Sequence, residues 1–252
     1  MRNLLFKISY NGSNYHGYQV QQNALAVAEV LQNAIEQVLK VREDIVGCSR
    51  TDTKVHANCF YFHMKTQANI PPERMVIAMN CHLPDDIAVL ECIEVPLEFH
   101  ARYHCIGKEY LYQIWNSQIK NPFLQNLAYH YPYPIDVEML DQAGQALVGT
   151  HDFKAFCAAG GKEMETVRTI HSFSVTREKD MVSITICGDG FLYHMVRIIV
   201  GTLLEIQSGR IPKDGIADII QSKNRRFAGP TARPEGLYLN RVIYGGEWFG
   251  KA

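Results

Sequence analysis

The apolar residues of this chain change period along the sequence, and that change constrains the fold more than any single motif. Leu4, Phe6, Ile8 and Tyr10 alternate, which is the period-two signature of a strand, and the run ends in Asn11-Gly12-Ser13-Asn14, a turn composition. Across residues 24–40 the period lengthens. Val27, Val30, Leu31, Ala34, Ile35 and Val38 fall on one helical stripe that can pack on a sheet. Short strands follow over 44–48 and 57–65, then a helix over 72–80 and a strand over 87–95.

Residues 100–116 read as a long strand or bent ribbon with Tyr110, Tyr112 and Ile114 on one face. The proline-containing stretch 129–134 reads as a connection, and Asp136 as the N-cap of a helix ending before Gly149. A hairpin is expected from 167–177 and 181–187 around Glu178-Lys179-Asp180. Helices over 195–207 and 213–222 and a strand over 237–244 complete the pattern. Strand, helix and strand ingredients recur in both halves without a residue-level repeat, so the expected class is α+β. The expected division is an N-terminal half, 1–99, a connecting ribbon, 100–135, and a C-terminal half, 136–252.

Composition narrows the functional classes. With 47% hydrophobic and 20% charged residues over 252 positions, the chain matches packed proteins and not disordered or coiled-coil ones. Seven cysteines without a Cys-x-x-Cys pair suit reduced thiols, and the ten histidines show no ligand spacing, so neither a disulfide nor a metal site is expected. The N-terminal segment lacks a secretion signal, and the apolar stretch 195–206 is interrupted by Arg197, so no membrane association and a cytoplasmic location are expected. The formal charge of −1 hides an asymmetry: residues 1–153 carry 11 Lys/Arg against 16 Asp/Glu, whereas residues 154–243 carry 13 against 9. A local basic face can hold a polyanion on a neutral protein; a chance imbalance of solvated faces is the plainer alternative.

Three places could carry chemistry. Ser49-Arg50-Thr51-Asp52-Thr53-Lys54-Val55-His56-Ala57 is a polar loop between two apolar strands. Asp52, flanked by Arg50 and Lys54, reads either as an ionised nucleophile or general base, or as a turn residue capping the loop; His56 reads equally as a structural histidine. Arg197 sits among apolar residues on most of a helical circumference. Its guanidinium must either find a partner or reach out to solvent. Within Lys108-Glu109-Tyr110-Leu111-Tyr112, Tyr110 is either an aromatic platform for a flipped base or half-buried sheet packing.

Taken together, these residues resemble the tRNA pseudouridine synthase A family over nearly the whole chain. Arg50-Thr51-Asp52 followed by Val55-His56-Ala57 is similar to the family's Arg-Thr-Asp-Ala-Gly-Val-His-Ala signature. Further similar blocks are Phe99-His100-Ala101-Arg102 with the Tyr110 block, Gly149-Thr150-His151-Asp152-Phe153, Phe191-Leu192-Tyr193-His194-Met195-Val196-Arg197, and Thr231-Ala232 with Pro234-Glu235-Gly236-Leu237-Tyr238-Leu239. The resemblance implies two similar α/β halves around a central, largely antiparallel sheet with an RNA-binding cleft. It implies that Asp52 is the catalytic carboxylate, Tyr110 the residue against the base, Arg197 the partner of Asp52, and Arg50 the group that helps displace the uridine. It also implies a tRNA substrate modified in the anticodon stem-loop, no cofactor, and a homodimer.

The departures lie in the catalytic loop. Thr53 and Lys54 stand where the family has Ala-Gly, and Ser49 where Gly is common, so the easy access of glycine to positive φ is lost beside Asp52. Two other classes stay open: a non-catalytic RNA-binding or RNA-folding protein that retains the synthase fold, and a carboxylate hydrolase. For the hydrolase no second acid is placed near Asp52.

Overall fold

The computed structural model describes residues 1–160 and 165–248. It is an α+β protein of two compact units, the first formed by residues 1–107 with the stretch from Tyr238 onward, the second by residues 108–237.

In the first unit, β1 (Arg2–Tyr10) lies between β3 (His56–Thr66) and β4 (Ile87–Val95), antiparallel to both. The short β2 (Ile45–Gly47) pairs antiparallel with β3, and the chain's last strand pairs parallel with it through Tyr238 and Leu239. Leu4, Leu5 and Phe6 are all buried, so the start of β1 is covered on both faces and departs from strict alternation. Phe6 and Phe62 stack on adjacent strands with ring centroids 4.7 Å apart. The register between β1 and β4 slips at Leu90, where Asn80 donates to the Val89 carbonyl and accepts from the Val89 amide at 2.8 and 2.9 Å.

Helix α1 (Val27–Leu39) buries Val27, Leu31, Ala34 and Ile35, as the 3.6-residue period requires. It begins three residues later than its pattern suggests. Ala26 has no side-chain oxygen, and the Val27 and Ala28 amides instead donate to the Gly17 and Tyr18 carbonyls at 3.1 and 2.9 Å. Helix α2 (Pro72–Asn80) opens on proline, which has no amide hydrogen to leave unsatisfied, and buries Met75 and Met79.

The long strand expected over 100–116 is β5 (Cys105–Trp115) alone. Residues before it form a turn tied by three imidazoles. The Ala101 amide donates to His63 Nδ1 at 3.1 Å, the Arg102 and Tyr103 amides to His100 Nδ1 at 3.2 Å each, and the His100 amide to His104 Nδ1 at 3.1 Å. Backbone amides satisfied this way have no need of a neighbouring strand.

The second unit orders its strands β5, β9 (Met181–Gly188), β8 (Val167–Glu178) and β7 (Gly149–Asp152), all antiparallel, with β6 (Tyr129–His130) parallel to β5. Strands β8 (Val167–Glu178) and β9 (Met181–Gly188) form the expected hairpin, closed by Lys179-Asp180 with Lys179 at φ +53°. Asp136 caps α3 (Val137–Gly144) by accepting the Met139 amide at 3.0 Å. β7 (Gly149–Asp152) leads to Asp152, which accepts from Thr166 Oγ1 at 2.6 Å, the Lys154 amide at 3.1 Å and Lys223 Nζ at 2.9 Å. These donors hold its carboxyl below the usual range, the Thr166 bond contributing most.

Helix α4 (Met195–Gln207) is buried over most of its circumference, and α5 (Gly215–Ser222) buries Ile216, Ile219 and Ile220. The last strand, β10 (Leu237–Tyr244), matches its expected span. No helix among the described residues is long and apolar enough to cross a membrane.

Candidate active site

The loop joining β2 to β3 carries Arg50 and Asp52 in the first unit. Asp52, Thr53, Lys54 and Val55 form a β-turn closed by the Val55 amide on the Asp52 carbonyl at 3.1 Å. Lys54 occupies its third position at φ +63°, the left-handed region glycine favours. Lysine therefore holds a left-handed position at the expense of conformational strain.

Backbone and side-chain contacts within the unit grip this turn from both ends. Thr51 is buried, its hydroxyl bonded to Tyr10 Oη at 2.8 Å and its carbonyl accepting the Tyr18 amide at 3.3 Å. The Lys54 amide donates to the Tyr15 carbonyl at 3.0 Å. His56 is buried, accepts the Gly12 amide on Nδ1 at 3.0 Å, and stacks on Tyr238 with ring centroids 4.6 Å apart. His56 thus takes the structural role. Gly12 and Gly17 allow the approach: a Cβ on Gly12 would lie 2.0 Å from the Val55 carbonyl oxygen, and one on Gly17 2.4 Å from that of Thr51. Against this backing Asp52 is half-buried, while Arg50 and Lys54 are exposed.

Tyr110 and Arg197 belong to the second unit. Tyr110 is buried on β5, opposite Ile186, with Phe191 edge-on to its ring at 5.0 Å. Two residues along, the Tyr112 hydroxyl donates to the Arg233 carbonyl at 2.7 Å, and Gly236 lies so close that a Cβ would sit 2.7 Å from the Tyr112 ring. Burial, then the nearby Glu235 charge, pushes the Tyr112 hydroxyl well above the usual tyrosine range, so it stays a donor.

Arg197 is half-buried on α4, with Nε donating to the Ala232 carbonyl at 2.8 Å while the Ala232 amide returns a bond to the Arg197 carbonyl at 3.0 Å. One turn on, a Cβ at Gly201 would stand 1.7 Å from the Pro230 carbonyl oxygen, and Thr202 Oγ1 accepts the Gly229 amide at 2.9 Å. The fold thus joins the Tyr110 block to the Pro234-Glu235-Gly236 block, and the Arg197 block to Thr231-Ala232.

The basic residues on either side of α5 differ from one another. Lys223 is paired with Asp152, and Arg225 is half-buried with a guanidinium nitrogen on the Ala228 carbonyl at 3.1 Å; Arg226 and Lys213 are exposed. Among the described residues no three or more His, Cys, Asp or Glu side chains are grouped to hold a metal ion.

The supports contributed by Gly12, Tyr15 and Gly17 escape a reading of the sequence. The turn composition around Asn11-Gly12-Ser13-Asn14 was the available signal, but nothing in it says which loop the turn touches.

A carboxylate on an over-determined turn, in a mixed α+β chain with ordered motif blocks, defines a class that comparison with known proteins makes specific. The description of the tRNA pseudouridine synthase family matches residues 7–104 and 143–245, and the chain belongs to that family of isomerases, which convert uridine to pseudouridine in tRNA. It is 45% identical over 244 residues to the tRNA pseudouridine synthase A of Thermoanaerobacter sp. (strain X514), covering 97% of this chain and 100% of the relative. The tRNA pseudouridine synthase A of Acetivibrio thermocellus is 46% identical over 244 residues, with the same coverage. The tRNA pseudouridine synthase A 2 of Clostridium tetani is 43% identical over 245 residues, covering 96% of this chain and 99% of the relative.

Proposed function

We propose that this chain converts uridines of the tRNA anticodon stem-loop to pseudouridine through the Asp52 carboxylate, as a cofactor-independent cytoplasmic homodimer. The observation that carries the reading is the half-buried Asp52 on a turn fixed by Thr51, Lys54 and His56, in a chain of this family.

The reaction breaks the bond from ribose C1′ to uracil N1, turns the base while it is held, and joins C1′ to C5. The C5 proton then leaves and N1 gains one, so the product is an isomer of the substrate and no hydride or group carrier enters. Asp52 supplies the anionic group whether it attacks the sugar, attacks the base, or promotes a glycal. A base inside a stem must first leave its stack.

Arg50, exposed two residues before Asp52, takes the space the uridine leaves. Tyr110, held against Phe191, packs on the base. Arg197, anchored through Nε, provides positive charge to the same nucleotide. The excess of Lys/Arg over residues 154–243 suits contact with tRNA phosphates, and a two-fold dimer presents that surface twice.

Mass-resolved mapping of pseudouridine in unmodified tRNAs incubated with the protein tests site and activity together. Asp52→Asn keeps the size of the side chain and removes its charge. It is expected to abolish product while tRNA binding persists, and a variant keeping a tenth of the single-turnover rate refutes the assignment. A solution mass near twice 28.6 kDa is expected for the dimer; a fully active monomer refutes it.

A further inference from the structure

We infer that Asp86, in the turn before β4, is a positioning residue for the Asp52 carboxylate; this rests on Asp52 being the catalytic group. Three groups from one short stretch converge on Asp86. The Tyr15 hydroxyl donates to Oδ1, the Asn14 side-chain amide donates to Oδ2 at 2.9 Å, and the Asn11 amide donates to the backbone carbonyl at 2.9 Å. The same stretch meets the catalytic turn on its other side, through the Gly12 amide on His56 and the Tyr15 carbonyl on the Lys54 amide.

Tyr15 is the lever between them. It is 3% exposed, its hydroxyl is held by Asp86, and its carbonyl holds the amide two residues after Asp52. Burial and the Asp86 carboxylate both raise the affinity of that hydroxyl for its proton, so it remains a donor throughout the working pH range. A carboxylate accepting from two side chains makes stronger and more directional bonds than a neutral acceptor. At Gly12 the backbones touch closely enough that movement of the stretch must move Val55. A displacement of about 1 Å at a reacting group is worth on the order of a hundredfold in rate.

The test compares single-turnover rate and tRNA dissociation constant for Asp86→Ala, Asp86→Asn, Tyr15→Phe and the double variant Tyr15→Phe/Asp86→Ala, with Asp52→Asn and Asp85→Ala alongside. Asp86→Ala is expected to lower the rate about ten- to a hundredfold with the dissociation constant within twofold of the parent. Asp86→Asn, which keeps one acceptor, should recover part of that loss, and the double variant should be no slower than Asp86→Ala. Asp85→Ala removes the adjacent exposed carboxylate and should leave the rate unchanged, which separates positioning from general charge.

If Asp86→Ala does not fold, Tyr15→Phe and Asn14→Ala each remove one bond and must still slow the rate without weakening binding. A parental rate in these variants, with Asp52→Asn inactive, overturns the inference alone. Losses that are additive, or that appear as weaker binding, overturn it too. An active Asp52→Asn overturns the underlying reading and this inference with it.

Discussion

Replacing Lys54 by glycine isolates the strain in the Asp52 turn. The backbone there sits at φ +63° with the Val55 amide bonded back to Asp52, and the lysine side chain is exposed, so its removal leaves no hole. A residue with a Cβ pays about 1–2 kcal/mol to occupy the left-handed region. Glycine escapes this but loses about 0.5–1 kcal/mol through the greater freedom of its unfolded chain. The difference predicts that Lys54→Gly is more stable by about 0.5–1 kcal/mol, a rise in melting temperature of roughly 1–4 °C for a protein of this size. Lys54→Ala keeps the Cβ and should be neutral, while Lys54→Asn should fall between, because its side chain bonds locally in this conformation. Differential scanning calorimetry of the four proteins at one scan rate gives the order. A glycine variant no more stable than the alanine variant would show that the turn does not hold Lys54 in the left-handed region.

Three further expectations follow from charge and hydrogen bonding. His63 is buried, and burial first, then the positive potential of His100 and Lys65, lowers its pKa from 6.5 to about 4; burial also lowers that of His100, which faces His104, Arg102 and Lys65. Below pH 6.5 the unfolded chain takes up a proton that folded His63 refuses, so stability should fall as pH drops from about 6.5 to 4 and level off below, by up to roughly 3 kcal/mol. His63→Gln, which can still accept the Ala101 amide, should flatten the denaturation midpoint across that window; an unchanged slope rules out His63 as its source. For RNA affinity, Arg226→Ala should reduce the salt dependence of tRNA binding by about 0.7–0.9 in log–log slope, one phosphate contact, at parental stability. Arg225→Ala should instead lower the melting temperature, because its guanidinium holds the Ala228 carbonyl; equal effects of the two variants on the slope would contradict that division.

Two of the elements that the sequence made legible are dense apolar runs. α4 runs over Met195–Gln207 and β10 over Leu237–Tyr244, as read from the sequence, because α4 is apolar and buried over most of its circumference and β10 buries Leu237, Leu239 and Val242. The Asp52 loop stood out for the converse reason, as a polar run between two apolar strands that the structure identifies as β2 and β3. Where the backbone's hydrogen bonds go to side chains or to distant carbonyls, period says nothing. The turn before β5 takes its acceptors from His63, His100 and His104, and the start of α1 takes its own from Gly17 and Tyr18. The cradle of the Asp52 turn is hidden in the same way. Gly12 and Gly17 read as ordinary turn glycines until the Val55 and Thr51 carbonyls are seen to occupy the space of their missing side chains. The Asp86 clamp couples residues 71 positions apart with no local pattern to announce it. Patterns of burial locate the Asp52 loop because they record where chain meets water. The groups that orient the loop act through bonds between backbone and side chain, and those are encoded by proximity that only the folded chain creates.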